Sequence, residues 1–572
     1  MLRLIKSSIV VVLCLISLTG TAQNALVIPP ALTGTNFNLN VQTGSKVFYT
    51  GTTTPTYGIN GAFLSPTIIV NKGDVVTLNV INGLPVSTTM HWHGLHVAAE
   101  NDGGPHQIIL PGTTWSPTFE ILNDAATFWY HPHGDAKTEL HVGKGLAGMF
   151  IVHDPAELAL GLPTTYGVDD FPLIVQSKSF DDLQQFSIAD FMDTAIMVNG
   201  TIDPFLNAPA QVIRLRIVNG SSMRSFNFGF SNNMSFSQVA TEAGIINAPN
   251  AMTRILISPG ERTEILVDLS AMNGQSLQLM NYGSTIPTGV YGSSTVGVWP
   301  DTIVDYQYND LNGADFELLT INVGAPIIGA ITTIPSTLIP YVPIPAVNAT
   351  FDRRFVLDTI GMLPGETPNR AAGPFGINNT TFDMDVINHS VALNTTETWT
   401  LINKTLIAHP FHIHDISFNI LEKSGVAPPA FEQGWKDVVL VMPGDSAKFI
   451  AKFTTFADPM TPYMYHCHLL HHEDDGMMGS FIVFDPNAAI PEETTALNLN
   501  VYPNPSTGYW NISGLTKAVN IQLTNTLGQV VYTAKVEQTD GVFTLPNQDL
   551  ASGIYTLTIR GLQTNQTFQV QK

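Results

Sequence analysis

Three stretches of this chain repeat one pattern. Residues 70–83, 211–220 and 397–403 each alternate apolar with polar side chains and reach an asparagine turn, at Asn82, Asn219 and Asn403. Alternation with a period of two marks a strand that turns one face to a core. A Pro-Gly turn follows each stretch, at Pro111-Gly112, Pro259-Gly260 and Pro443-Gly444, and residues 148–154 are matched by 479–485. A unit that recurs in this way predicts three copies of one β-sandwich, at 35–157, 160–325 and 346–487. The 572 residues, 44% of them hydrophobic, are enough for several cores. The proline-rich run from Pro335 to Pro345 reads as an extended linker into the third copy.

The chemistry is concentrated in histidine. Of 16 histidines, eight form i, i+2 pairs: His91 with His93, His131 with His133, His412 with His414, and His466 with His468. On a strand such a pair puts both imidazoles on one side, where several pairs can converge on a compact metal cluster. By the same parity Cys467 faces away from His466 and His468, and His409 faces away from His412 and His414. Cys467 is the sole cysteine outside the first two dozen residues, and His472, Met477 and Met478 follow it. One thiolate, two imidazoles and a distant thioether make the trigonal site that tunes copper for one-electron transfer. The middle copy contains no histidine, so a cluster built from the four pairs must lie between the first and third copies.

These segments resemble the multicopper oxidases: His91-Trp92-His93-Gly94, Trp129-Tyr130-His131-Pro132-His133, His409-Pro410-Phe411-His412-Ile413-His414, and His466-Cys467-His468 through Met477. The likeness runs from about residue 35 to about 487 and is greatest to bacterial copper-efflux oxidases and spore-coat laccases. It implies three cupredoxin-like Greek-key domains holding four coppers. His409, Cys467, His472 and axial Met477, with Met478 as the other candidate, would hold the blue type 1 copper. His91 and His412 would hold type 2, and His93, His131, His133, His414, His466 and His468 the type 3 pair. Electrons would enter at the exposed edge of His409 or His472, cross the His466-Cys467-His468 backbone, and reduce dioxygen to water, with Asp102 and Glu473 supplying protons. In Gly434-Trp435-Lys436-Asp437 the resemblance leaves contact with the ligands or with substrate open. His96, His106, His141, His153, His389 and His471 are expected to be ordinary packed or surface side chains.

The termini point outward. A basic start, an apolar run from Ile9 to Leu18 and small residues before Gln23 read as a signal peptide over 1–22, which carries Cys14 away with it and is too short to span a membrane. One cysteine then remains, and no internal disulfide is possible. After Thr495 the composition changes. Val501-Tyr502-Pro503-Asn504-Pro505, Leu550 to Tyr555 and the final Lys572 resemble the C-terminal sorting domain of type IX secretion, a small β-sandwich over 496–572. This implies an all-β exported protein that meets the type IX machinery and reaches the cell surface or medium through the periplasm. A formal charge of −22 argues against nucleic acid and anionic membrane as partners.

The reductant is open between small aromatics and metal ions. Copper-efflux oxidases carry a methionine-rich insertion and place Asp and Met just ahead of the His-Pro-x-His-x-His motif, whereas this chain reads Lys404-Thr405-Leu406-Ile407-Ala408 and scatters its 17 methionines. The reading is therefore a laccase-like oxidase of phenols and aromatic amines, with a cuprous or ferrous oxidase as the alternative. A copper-binding protein without turnover is the alternative of another class. Members of that kind lose ligands, and none is missing here.

Overall fold

The computed structural model describes residues 23–188, 192–361, 367–488, 499–515, 519–525, 530–536, 542–561 and 564–572. The expected signal peptide and Cys14 lie outside the described residues. The fold is all-β, and no helix among the described residues is long and apolar enough to cross a membrane.

Each patterned strand pairs in parallel with the strand that opens its sandwich. Val75–Asn82 lies beside Asn36–Lys46, Val212–Asn219 beside Asp170–Phe180, and Thr395–Asn403 beside Phe351–Thr359. Phe37 sits opposite Leu78, Phe171 opposite Leu215, and Phe355 opposite Leu401, so the repeat extends to the register of its core. The asparagine ending each strand is buried and serves as a corner bracket. The Asn82 amide donates to the carbonyls of Val86 and Ile109, that of Asn219 to Arg224 and Ile257, and that of Asn403 to Ile407 and Val441. Buried amides are kept only when bonded in this way.

The second sheets of the first and third sandwiches share one order. In the first, Thr67–Asn71, Gly148–His153, Ala126–His131 and His91–His93 are neighbours; in the third, His389–Ala392, Met478–Phe484, Asp458–Cys467 and His409–Ile413. The motif strands are therefore paired within each sheet, with His131 opposite His91, His466 opposite His412, and Cys467 opposite Phe411. Phe355, Trp399, Phe411, Phe449 and Phe481 fill the third core, which also contains Cys467 and Met477.

The middle copy departs from the half-buried pattern. All eight residues of Val212–Asn219 are buried, including Arg214 and Arg216, because the polar face meets the first sandwich and not water. Arg214 pairs with Glu157 and Glu264, while Arg216 pairs with Asp170 and Glu264 and donates to Thr127. Burial alone would raise the Glu157 carboxyl, yet His153, Arg214 and Arg216 hold it down to about 2. Breaking such a pair by removing one partner costs about 3–5 kcal/mol, so this face is a rigid joint.

The proline-rich linker is packed as well. Leu338 and Ile344 are buried, Leu338 donates its N–H to the Asn247 carbonyl, and Ile344 donates to the Asn419 side chain. Ahead of the expected first domain, Asn24–Ala25 adds an edge strand to the sheet of the middle sandwich. Residues from Pro486 onward form a separate unit. Its two sheets, of three and four strands, enclose Trp510, Ile512, Leu545, Leu557 and Ile559.

Candidate metal centre

Three side chains converge in the third sandwich. Cys467 Sγ lies 3.5 Å from His409 Nδ1 and 3.7 Å from His472 Nδ1, and the two nitrogens are 3.3 Å apart. His409 comes from the strand His409–Ile413, and His472 from the short helix Leu470–Asp474 directly after Cys467. Met477 is fully buried in the same core, and its backbone is tied to both ligand segments: its carbonyl accepts from Cys467 N–H and its N–H donates to the His472 carbonyl. Met478 belongs to the next strand, opposite His466. Burial pushes the Cys467 thiol far up, so only a cation beside it would hold it as thiolate. His409 and His472 are both buried, His409 with Nε2 on the Thr405 hydroxyl and His472 the less deeply of the two at 3% exposed.

The eight paired histidines meet where the first and third sandwiches touch. Rings from the two sandwiches stack across that boundary, His91 on His414 at 3.9 Å and His93 on His412 at 3.8 Å. His133, His414 and His466 converge through Nε2, with His466 3.1 Å from His133 and 3.4 Å from His414. His131 and His468 approach His93 Nδ1 at 3.5 and 3.2 Å. The Nε2 atoms of His91 and His412 are buried with no hydrogen-bond partner. Several members pass just beyond their strands: His133, His414 and His468 follow strands ending at His131, Ile413 and Cys467. Burial, reinforced by mutual repulsion, holds His93, His131, His133, His412, His414 and His468 well below the usual imidazole range. Neutral rings with their lone pairs turned on one another fit cations, not one another.

The outer nitrogens are held by carboxylates and carbonyls, as ligating imidazoles require. His414 Nδ1 donates to Asp102 Oδ2 at 2.6 Å, and His91 Nδ1 to the Asp102 carbonyl at 2.9 Å. Glu473 lies 3.4 Å from His133 Nδ1 and 3.1 Å from His466 Nδ1. Asp437 lies 3.2 Å from His93 Nε2, and its carbonyl accepts from His412 Nδ1 at 2.8 Å. Both Asp437 oxygens are gripped at 2.6 Å by Arg262 of the middle sandwich. The neighbouring Gly260, at φ +86°, passes so close to His468 that a Cβ there would sit 2.7 Å from the ring.

Models of the multicopper oxidase family match residues 40–157, 172–286 and 356–487. The chain is 33% identical over 457 residues to the multicopper oxidase mco of Staphylococcus haemolyticus, covering 78% of this chain and 88% of that one. This chain belongs to the multicopper oxidase family. It is similar to the laccase-like multi-copper oxidase CueO of the lignin-degrading bacterium Ochrobactrum sp., at 34% identity and a TM-score of 0.70, over 80% of this chain and all of that one. It is also 31% identical over 483 residues to the cell division protein FtsP of Photorhabdus laumondii, covering 83% of this chain and 95% of that one. Residues 500–572 match a secretion system C-terminal sorting domain, which indicates export by type IX secretion.

Multicopper oxidases bind four coppers, and this member presents histidine and cysteine groups of the kind they need. The remaining histidines have other partners: His96 binds Asp415, His106 the Met384 carbonyl, His141 the Thr88 hydroxyl, His153 Glu157 and His471 Glu139, while His389 packs on Phe355. Sequence reasoning missed Arg262, Gly260 and Thr405. The middle sandwich contributes no histidine, yet its Arg262 grips Asp437 and its Gly260 lies against His468. The one local signal was the Pro259-Gly260 turn, which sets Gly260 and Arg262 at the same point of the repeat as the turns of the other two sandwiches.

Proposed function

We propose that this oxidase is laccase-like, taking single electrons from phenols and aromatic amines at the site of His409, Cys467, His472 and Met477. Copper, when bound, supplies one-electron acceptance there and four-electron reduction of dioxygen to water among the paired histidines. His91 and His412 would hold type 2 copper, His93, His131 and His468 one type 3 copper, and His133, His414 and His466 the other. The His466-Cys467-His468 backbone joins the two sites covalently. Asp102 and Glu473, each against ligand imidazoles, would orient those rings and pass protons toward the cluster.

The observation that carries the substrate reading is the setting of His472. Its ring, the less deeply buried of the two imidazoles, stands 4.4 Å from Phe375 and 6.4 Å from Tyr291, aromatic neighbours suited to aromatic reductants. Residues 404–408, which run up to His409, supply neither carboxylate nor thioether for a cuprous ion. The complete ligand set argues against a role without turnover. Export across the outer membrane would place the enzyme among phenols too large to enter the cell, at the surface or in the medium.

The test is to load the purified protein with copper, record its visible spectrum, and measure oxygen uptake with 2,6-dimethoxyphenol, Cu(I) and Fe(II) in parallel. Turnover of the phenol above both metals is expected. A much faster Cu(I) or Fe(II) reaction would make it a metallo-oxidase, and a blue protein that consumes no oxygen with any reductant would overturn the enzyme itself.

A further inference from the structure

The middle sandwich carries a second feature that the copper sites do not use. Within residues 298–308, Val298, Trp299, Val304 and Tyr308 are 63%, 87%, 77% and 71% exposed. Four large apolar side chains in one short segment are more than the scattered singles expected on a surface. Of the other six tryptophans, Trp92, Trp129, Trp399 and Trp510 are fully buried and Trp115 and Trp435 partly buried.

The segment is firmly held. Its hairpin, Gly297–Val298 against Asp301–Thr302, is flanked by Val296, Ile303 and Tyr306, all buried in the core cluster that contains Cys467 and Met477. The Tyr306 hydroxyl donates to the Ser293 carbonyl and accepts from Gly292 N–H. Asn369 of the third sandwich donates to the Thr302 carbonyl, and Ala371 packs where Gly297 leaves no room for a Cβ. The ledge is therefore a rigid projection of the middle sandwich seated on the core that contains Cys467 and Met477. Two ring contacts lead inward from it, Tyr306 to Tyr291 at 5.9 Å and Tyr291 to His472 at 6.4 Å.

We propose that this ledge docks uncharged polyphenol chains, so that a polymer unable to reach the 3%-exposed His472 can still deliver electrons to it. The inference rests on the laccase-like reading above and names its substrate class. Trp299 and Tyr308 stack on successive aromatic units, as flat side chains do at low entropic cost. Asp301, Asp305 and Asp310 lie in or beside the segment, on a chain of net charge −22, so a polyanion is repelled where a neutral chain is accepted. A docked phenol would give up one electron, which copper held by His409, Cys467 and His472 would accept, and its hydroxyl proton to water. Tyr306 and Tyr291 conduct by tunnelling and are themselves neither oxidised nor reduced.

The experiment uses the copper-loaded full-length protein without oxygen, mixed with a water-dispersed dehydropolymer of coniferyl alcohol and sedimented. Wild type and the control Ile328→Ser, another exposed apolar residue, should co-sediment alike. The double variant Trp299→Ser with Tyr308→Ser should bind at least fivefold more weakly, and sulfonated lignin should compete poorly. With oxygen, the double variant should lose turnover of the polymer through a raised KM and keep its blue band and its rate with 2,6-dimethoxyphenol within twofold. Unchanged sedimentation of the double variant overturns the docking surface and leaves the laccase reading standing. Wild type that oxidises metal ions and no phenol overturns both.

Discussion

Replacing Arg262 by methionine should damage the histidine cluster from a domain that contributes no ligand to it. The guanidinium has five N–H donors, and each is used: Nε donates to the Thr127 carbonyl, Nη1 to Asp437 and the Gly260 carbonyl, Nη2 to Asp437 and the Glu242 carbonyl. Methionine fills part of the volume and leaves a fully buried carboxylate without its cation. Loss of one partner from a buried pair costs about 3–5 kcal/mol. Much of that cost falls on Asp437, whose side chain and carbonyl hold His93 and His412. Loss of a ligand's outer support weakens metal affinity by about 10–100-fold, so type 2 copper should be depleted in dialysed protein. The assay is copper stoichiometry with electron paramagnetic resonance, beside the visible spectrum. The type 2 signal and oxygen uptake should fall together, and the blue band should persist because His409, Cys467 and His472 lie within the third sandwich. Arg262→Lys, which keeps the charge and loses the two-pronged grip, should be intermediate. A methionine variant with full copper, an unaltered type 2 signal and normal turnover would refute the reasoning.

Cys467→Ser should abolish the intense blue absorption and oxidation of every reductant while histidine-bound copper remains; a serine variant that stays blue would remove Cys467 from the site. Lys178 gives a pH prediction: burial lowers its ammonium to about 7 from 10.5, with Glu139 opposing weakly. Between those values the unfolded chain holds a proton that the folded chain has released, so this group makes stability rise with pH by about 1.4 kcal/mol per unit. That slope between pH 7 and 10 should be missing from Lys178→Met, and thermal melts showing parallel curves for the two proteins would sink the assignment. Deleting residues 496–572 removes none of the ligand side chains, so the truncated protein should turn over at the full rate yet accumulate in the periplasm, with normal export the contrary result.

Much was legible along the chain because strand periodicity is local. The parity that sets Cys467 against its flanking histidines, and His409 against His412 and His414, follows from the pleat and is what the structure displays. The repeated Asn82, Asn219 and Asn403 corners were visible as turns, although their double amide bonds were not. What only the tertiary structure decided is how the four histidine pairs interleave. His93 meets His468 across 375 positions and His133 meets His466 across 333, separations on which local alternation is silent. Arg214, Arg216 and Arg262 follow the polar half of a strand pattern and so read as a solvated face. They are buried because a second sandwich lies against them, and the alternation of side chains records which way a residue points without recording what it will meet there.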